Sequence, residues 1–576
     1  MRRTHLLSLL MLGTGVALLV VALTAGVAAA RTHEHGSSNA KRGGTLRLAQ
    51  SAMSFSTLDP QLALFGWSVL SNTQLLLVNF PDKVGVAGTH LFPEAAKSFP
   101  TISKSGKVVT FHLRPGLKFD NGKPVTAASF QRAFERALSP KMYAQFGCNE
   151  GIDKMIVGGT QFANCAGKKG VRTSAHISGI RAKGLTLTFH LTRPNAAFAS
   201  ILAMPWFGAT PPNMRYSGKP GGIRVYPSAG PYYLASNDLT RLTVLKRNPY
   251  YLQEGSWPDK RPANPDEIVI HSYPGSNGEN TLLQTEKGEI DMDLTGVPAS
   301  DVARVARQYG VNTGRFHVGS TGCNMWVGLN NAKAPTNVLA IRKAINYALG
   351  RKPIIQLAGP YSGTPSDQIL VPGMPGYEKI TVYPAYPDLA KARRVGGSAI
   401  AAHAGDQINI YYLQASPLQT NIALYEQRQL QALGFKNVQL QPADPTSYEG
   451  PLGTKSVALS ANGYNLAWAG WCPDYFDPFD YFNVLFDGRT ISDTGNLDFF
   501  YFNSPKFDAQ MDHAASLSGA ARNAAYAALD KELMTRYAPL VPLYVSNARF
   551  LTSKRVENFI YSNYYGSPDL NAMVVR

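Results

Sequence analysis

Little of this sequence is charged, and none of it is arranged as a contiguous catalytic signature. Asp, Glu, Lys and Arg make up 16% of the 576 residues, and the basic ones are scattered, with short pairs such as Lys168-Lys169 and Arg393-Arg394. The formal charge of +18 therefore does not amount to a nucleic-acid interface, which needs Lys and Arg clustered where they can neutralise phosphates. Spread out, such residues keep a protein soluble beside an anionic envelope. The G-x-S-x-G, H-E-x-x-H and Walker patterns are missing, which removes the contiguous hydrolase, zinc-protease and P-loop signatures and leaves no cofactor motif. Catalytic triads need not be contiguous, so an extracellular hydrolase stays as an alternative.

Cysteine is scarce as well. The four present contain no C-x-x-C, which argues against zinc and against a dithiol redox motif. In an exported chain four cysteines suggest two disulfides, with three possible pairings. Cys148 and Cys165 are close in sequence and suit a loop staple stabilising by roughly 3 kcal/mol; Cys323 and Cys472 would then remain, closing a longer loop for roughly 5 kcal/mol in the same model.

What the chain has is length and apolar mass. Its 26 Phe, 28 Tyr and 6 Trp within 44% hydrophobic residues can fill more than one core, so two or three lobes are expected. Arg2 and Arg3 precede an apolar run from Leu6 to Ala30 that ends in Ala28-Ala29-Ala30, the pattern of an export signal. The run is also long enough for an uncleaved anchor, since about 20 apolar residues span a bilayer. No cysteine ends it, so no lipidation site of the usual lipoprotein kind is present. Residues 31–42, with His33, His35 and Ser37-Ser38, read as a linker, not a metal site.

Beyond the linker, period-two alternation predicts strands at 43–49, 108–113 and 185–191, and further strands at 241–245 and 267–271. Thr126 can cap a helix to Leu138 whose Phe130, Ala133, Phe134 and Ala137 share one face, stopped by Pro140. A Pro- and Gly-rich stretch from Pro211 to Gly222 marks a lobe boundary. After Val318 the texture is α/β. A strand at 325–329 precedes a helix from Val338 to Leu349, and a strand at 408–413, a helix from Ser416 to Gly434 and a strand at 438–440 form a β-α-β unit. The last helix runs from Ala520 to Tyr537.

One block is specific. Residues 111–127 read Phe-His-Leu-Arg-Pro-Gly-Leu-Lys-Phe-Asp-Asn-Gly-Lys-Pro-Val-Thr-Ala, which resembles the signature F-x-L-R-x-G-x-K-F-x-[DN]-G-x-P-[VL]-T-A of the family 5 (peptide and nickel class) solute-binding proteins of ABC importers. Leu58-Asp59-Pro60, Gly230-Pro231-Tyr232, Arg247-Asn248-Pro249-Tyr250-Tyr251 and Ile341-Arg342-Lys343-Ala344-Ile345-Asn346-Tyr347-Ala348 support the resemblance, which covers about residues 43–560. Gly350-Arg351 departs from the usual Asp-Arg at a helix end.

The resemblance implies an α/β, two-lobed periplasmic-binding-protein type II fold with an extra subdomain in the first lobe. On it the chain divides into a signal or anchor at 1–30, the linker at 31–42, the first lobe at 43–90, 216–320 and 544–576, its extra subdomain at 91–215, and the second lobe at 321–543. It implies that Cys323 and Cys472 are bridged, because their segments look like the two cysteine-bearing segments of the oligopeptide-binding branch. It implies a ligand site at Gly470, Trp471, Cys472 and Asp474, with the Asp474 carboxylate pairing with a peptide α-amine and backbone groups beside Gly470 and Cys472 bonding the peptide as an added strand. Such a site makes physical sense, since an enclosed ammonium needs a partner and main-chain bonds ignore side chains. Phe65, Gly66 and Trp67 fall where family members line the opposite wall. Without the resemblance, Asp474 reads as a turn cap or an arginine partner, Trp471 as core, Asp477 as a turn residue and Asp480 as a helix cap; His403 and His513 read as surface or core. The implied protein is an extracytoplasmic monomer that hands peptides to a permease and ATPase pair, with no nucleic acid, metal or cofactor. A non-peptide solute such as an oligosaccharide or metal chelate is the alternative ligand, and a signalling partner the alternative to the permease.

Overall fold

The computed structural model describes residues 42–51, 57–64, 66–165, 167, 174–273, 278–444, 448–562 and 566–576. The expected signal and nearly all of the linker lie outside these residues. Among the described residues no helix is long and apolar enough to cross a membrane.

Three sheets organise the chain. The first has five strands in the order Met292–Asp293, Thr45–Ser51, Glu267–Tyr273, Leu242–Arg247, Tyr232–Asp238. Its alternating Leu46, Leu48, Leu245, Ile268 and Ile270 are fully buried in one core. A four-stranded antiparallel sheet follows the order Thr101–Ile102, Val108–His112, Thr186–His190, Ile180–Lys183. Helix Ala127–Leu138 covers it, capped by Thr126 and Ser129, whose side chains each bond the other's backbone. Its Phe134 stacks on Phe207 at 4.2 Å and tilts against Phe189 at 5.1 Å. The signature block makes the turn into this helix: Phe111, Leu117, Phe119 and Val125 go into the core, and Gly122 adopts φ 80° where a Cβ would lie 2.9 Å from the Tyr250 hydroxyl.

The third sheet runs Gly363–Pro365, Leu540–Leu551, Phe316–Leu329, Leu466–Trp471, Gln407–Leu413, Asn437–Ala443. Its last two strands are parallel and joined by helix Pro417–Leu433, the β-α-β unit read from the sequence. Ser416 caps that helix by accepting the Gln419 N–H, and Gly434 ends it at φ 118°. The strand expected at 325–329 is the second half of a 14-residue strand, Phe316–Leu329. Gly319 and Gly322 interrupt the apolar alternation of its first half, which is why the pattern does not show it. This strand pairs antiparallel with Leu540–Leu551 from Phe316↔Leu551 to Gly328↔Leu540, with a register shift between Ser320 and Asn324. Val541 and Leu543 belong to the core of the six-stranded sheet and Phe550 to that of the five-stranded sheet. Two paired strands thus cross from one core to the other.

Two disulfides are present, Cys148 with Cys165 and Cys323 with Cys472. The expected last helix is α-helical over Gly519–Glu532 and widens to a π turn over Leu533–Tyr537 before Pro539.

Candidate functional site

The segment following strand Leu466–Trp471 is fixed at both ends. Asp477 accepts the Phe479 N–H at 2.9 Å and so caps helix Pro478–Leu485, while Arg522 holds both of its oxygens at 2.5 and 3.0 Å. The Tyr481 hydroxyl reaches back to the Gly322 carbonyl at 2.6 Å and the Trp471 carbonyl at 3.3 Å, beside the Cys323–Cys472 bridge. Asp480 is not the cap that local reading suggests. Asp477 holds the cap position, and Asp480, two residues into the helix and fully buried, aims its carboxylate at the preceding loop, where it accepts the Trp471 indole N–H and the Asp474 backbone N–H, each at 3.0 Å.

Asp474 therefore sits between two other acids. One oxygen each from Glu150, Asp474 and Asp480 lie within 4.8 Å of one another. Glu150 comes from the four-stranded subdomain, just after the short helix Phe146–Asn149 that carries Cys148, and is 8% exposed. Asp474 keeps partial solvent contact deep in the molecule. Burial pushes its carboxyl up to about 7, offset by a hydrogen bond with Glu150. Burial raises Glu150 well above the ordinary carboxylate range, reinforced by the charge of Asp474; Asp480 is raised by burial and then by both neighbours, against the hydrogen bonds it accepts. The three oxygens could hold one cation.

Next to this cluster, no described strand pairs with the far edge of strand Leu466–Trp471 beyond Ala467. Strand Leu466–Trp471 pairs along its length with Phe316–Leu329, but meets Gln407–Leu413 only at Leu466 and Ala467. Asn330 donates to the Asn465 carbonyl at 2.9 Å, so odd-numbered backbone groups face Phe316–Leu329 and even-numbered ones face away. The outward carbonyl of Trp468 takes the Tyr448 hydroxyl at 2.5 Å. The N–H and C=O of Gly470 face the same edge, beyond its last strand partner. A Cβ at Gly470 would lie 2.6 Å from Met325 Sδ, which accounts for glycine there.

The sequence-based site residues are partly brought together. Gly470, Trp471, Cys472 and Asp474 form one continuous rim; Trp471 is half-buried against the large core with its indole tied to Asp480, and Cys472 is exposed and disulfide-bonded. Gly66, at φ 91°, starts helix Trp67–Thr73, and Trp67 packs edge-on against Trp206 at 5.9 Å. Trp206 in turn stacks on Phe146 at 5.8 Å, one helical turn from Glu150. Phe65 lies outside the described residues. Sequence reasoning misses Glu150 and the site role of Asp480; for Glu150 the available signal was its place two residues after a disulfide cysteine.

Two sheet-based lobes joined by paired strands, with charged groups and a strand edge that no described strand pairs past Ala467 where subdomain and second lobe meet, define a protein built to hold a ligand between its halves. Residues 90–493 match the family model described as bacterial extracellular solute-binding proteins, family 5 (middle); that is more than half of the chain, and the protein belongs to this family. The periplasmic oligopeptide-binding protein OppA of Escherichia coli K12 is 25% identical over 483 residues, covering 80% of each chain. Heme-binding protein A of Haemophilus influenzae is 23% identical over 536 residues, covering 88% of this chain and 89% of that one. The solved structure of clavulanic acid biosynthesis oligopeptide binding protein 2 superposes with a TM-score of 0.79 at 21% identity, covering 93% of this chain and 96% of that one, which shows the two-lobed type II periplasmic-binding-protein fold. The protein is a non-catalytic solute-binding component of an ABC importer, of the extracytoplasmic kind that works with permease and ATPase subunits.

Proposed function

We propose that the solute is a peptide, enclosed between a first lobe formed by 43–90, 216–320 and 544–576 with its subdomain at 91–215, and a second lobe at 321–543. Asp474 accepts the peptide's α-ammonium, and the outward N–H and C=O of Gly470 extend the sheet onto the peptide backbone. The lobes close by flexing the strands Phe316–Leu329 and Leu540–Leu551 at their register shift, and ligand contacts to both sides favour the closed form. Trp471 and the aromatic group around Trp67 line the chamber. Residues 1–30 export the chain.

The observation that carries this reading is the half-buried Asp474 carboxyl beyond the end of strand Leu466–Trp471, whose far edge no described strand pairs past Ala467. A charged acceptor and a row of backbone groups together suit a ligand with one fixed cation and a repeating amide chain. The match to a heme-binding relative keeps a second reading, a non-peptide solute, in view. Calorimetry with Ala-Ala-Ala and its N-acetylated form separates them. Peptide binding that falls by about 10- to 100-fold on acetylation or in Asp474→Asn supports the α-amine role, in line with the worth of a hydrogen bond to a charged group. Equal affinity for both peptides removes it.

A further inference from the structure

Strand Gln407–Leu413 pairs over its whole length with Asn437–Ala443, but meets Leu466–Trp471 at two positions, Ile410↔Leu466 and Tyr411↔Ala467. These parallel neighbours therefore part at their carboxyl ends, which is where an open α/β sheet offers a crevice to a ligand. Tyr448 stands in the fork. Its hydroxyl donates to the Trp468 carbonyl at 2.5 Å, and its ring stacks on Tyr411 with centroids 5.1 Å apart and planes 11° from parallel. The chain behind it is anchored: helix Glu449–Gly453 follows directly, Leu452 on it is 1% exposed, and the Leu452 carbonyl accepts the Tyr501 hydroxyl at 3.0 Å.

A peptide added to this edge has to share that space. An added strand runs about 4.8 Å from its neighbour and meets successive outward-facing residues about 6.8 Å apart. With its oxygen against the Trp468 carbonyl and its ring behind, Tyr448 lies on the line such a strand would follow. Among the described residues Leu466 is paired with Ile410 and the Trp468 carbonyl is taken by Tyr448, so Gly470 is the outward residue left for a peptide backbone. A peptide with its amine at Asp474 runs antiparallel to the strand. Whichever of its residues lies opposite Gly470, the residue two further along falls opposite Trp468 and meets the phenol. With the first amide groups at Gly470, that collision comes at the third or fourth residue.

We propose that Tyr448 is the length-determining residue of the site: it ends backbone recognition after the first two or three residues, so that the ligands are short peptides and further residues add no affinity. This rests on the peptide reading above and narrows it to a size class. The alternative role, a plug that only protects a strand edge from pairing with other chains, predicts no dependence on peptide length.

Calorimetry of the mature protein with Ala-Ala-Ala and penta-alanine tests this. Wild type is expected to bind penta-alanine no more tightly than Ala-Ala-Ala. Tyr448→Ala and Tyr448→Val, which clear the fork, are expected to bind penta-alanine about 10-fold more tightly than Ala-Ala-Ala, from the two hydrogen bonds that one further residue pair exchanges. Tyr448→Phe keeps the ring and is expected to keep the wild-type ratio. Ala-Ala-Ala affinity within about 3-fold of wild type shows that a variant is folded and its amine site intact. Wild type that prefers penta-alanine by 10-fold, or a ratio that Tyr448→Ala and Tyr448→Val leave unchanged, overturns the role of Tyr448 while the peptide reading stands. Loss of Ala-Ala-Ala binding in both clearing variants makes Tyr448 a structural prop and overturns it too. Failure of wild type to bind either peptide removes the peptide reading, and this inference with it.

Discussion

Arg193 Nη1 lies 2.5 Å from Asp512 Oδ1, an ion pair that joins the loop after strand Thr186–His190 to helix Pro505–Ser516. Asp512 also receives Arg489 at 2.7 Å, and alongside it the Ala196 N–H reaches the Ala515 carbonyl at 3.3 Å. Together with the Glu150–Asp474 contact, this bridge ties the four-stranded subdomain to the second lobe at a second point.

Loss of that bridge should loosen closure without touching the ligand. Arg193 is about half exposed, so the pair is worth at most about 1 kcal/mol in moderate salt. Arg193→Ala is expected to speed peptide release by up to about 5-fold in stopped-flow measurements at low salt, with the difference fading at high ionic strength. A difference that persists at high salt would mean the effect is not electrostatic.

The empty site should make the protein dependent on pH. Unfolded carboxyls ionise near pH 4, whereas burial holds Asp474 in its protonated form to about pH 7. Between these values the unfolded chain has lost a proton that the folded protein keeps, so this carboxyl's contribution to stability is full below about pH 4 and declines as pH rises to 7. Asp474→Asn escapes the decline. The melting temperature of ligand-free Asp474→Asn relative to wild type is expected to rise from pH 5 to pH 8; a constant gap would place the carboxyl in water.

A carboxyl far from the site allows the same logic to be checked alone. Glu426, on helix Pro417–Leu433, is 2% exposed, and burial raises it to about 8. Glu426→Gln is expected to gain about 4 kcal/mol more at pH 8.5 than at pH 5 in denaturant titrations.

The two disulfides should differ in what they protect. Cys323–Cys472 closes a span of 149 residues and pins the end of the strand edge beside Asp474. Replacing both cysteines by serine is expected to cost several kcal/mol, roughly 5 in the loop-entropy model, and to weaken peptide binding as well. The Cys148–Cys165 pair spans 17 residues, and its loss is expected to cost roughly 3 kcal/mol.

Local chemistry made much of the fold readable. Thr126 and Ser416 as caps, Gly434 as a helix end and the alternation read at 43–49 and 267–271 all act within a few residues, so pattern and structure agree there to within two residues. The strand Phe316–Leu329 was half hidden because Gly319, Gly322 and the polar residues around them break the period where the strands cross between cores. At the site, Asp474 was reached by resemblance, and its own neighbours in sequence would have made it a turn cap. Glu150 was out of reach because its meaning depends on two lobes meeting, and no spacing along the chain encodes which acid faces which. Asp480 reads as a cap three positions too late; only the fold shows that Asp477 already fills that role and frees Asp480 to hold Trp471 and the Asp474 backbone.

A crystal structure of the protein with bound Ala-Ala-Ala measures the central claim directly. The account expects the peptide's α-nitrogen within about 3 Å of an Asp474 oxygen, with its first amide groups bonded to Gly470. A peptide lying elsewhere between the lobes, with its α-nitrogen in water and Asp474 still paired to Glu150, would contradict it.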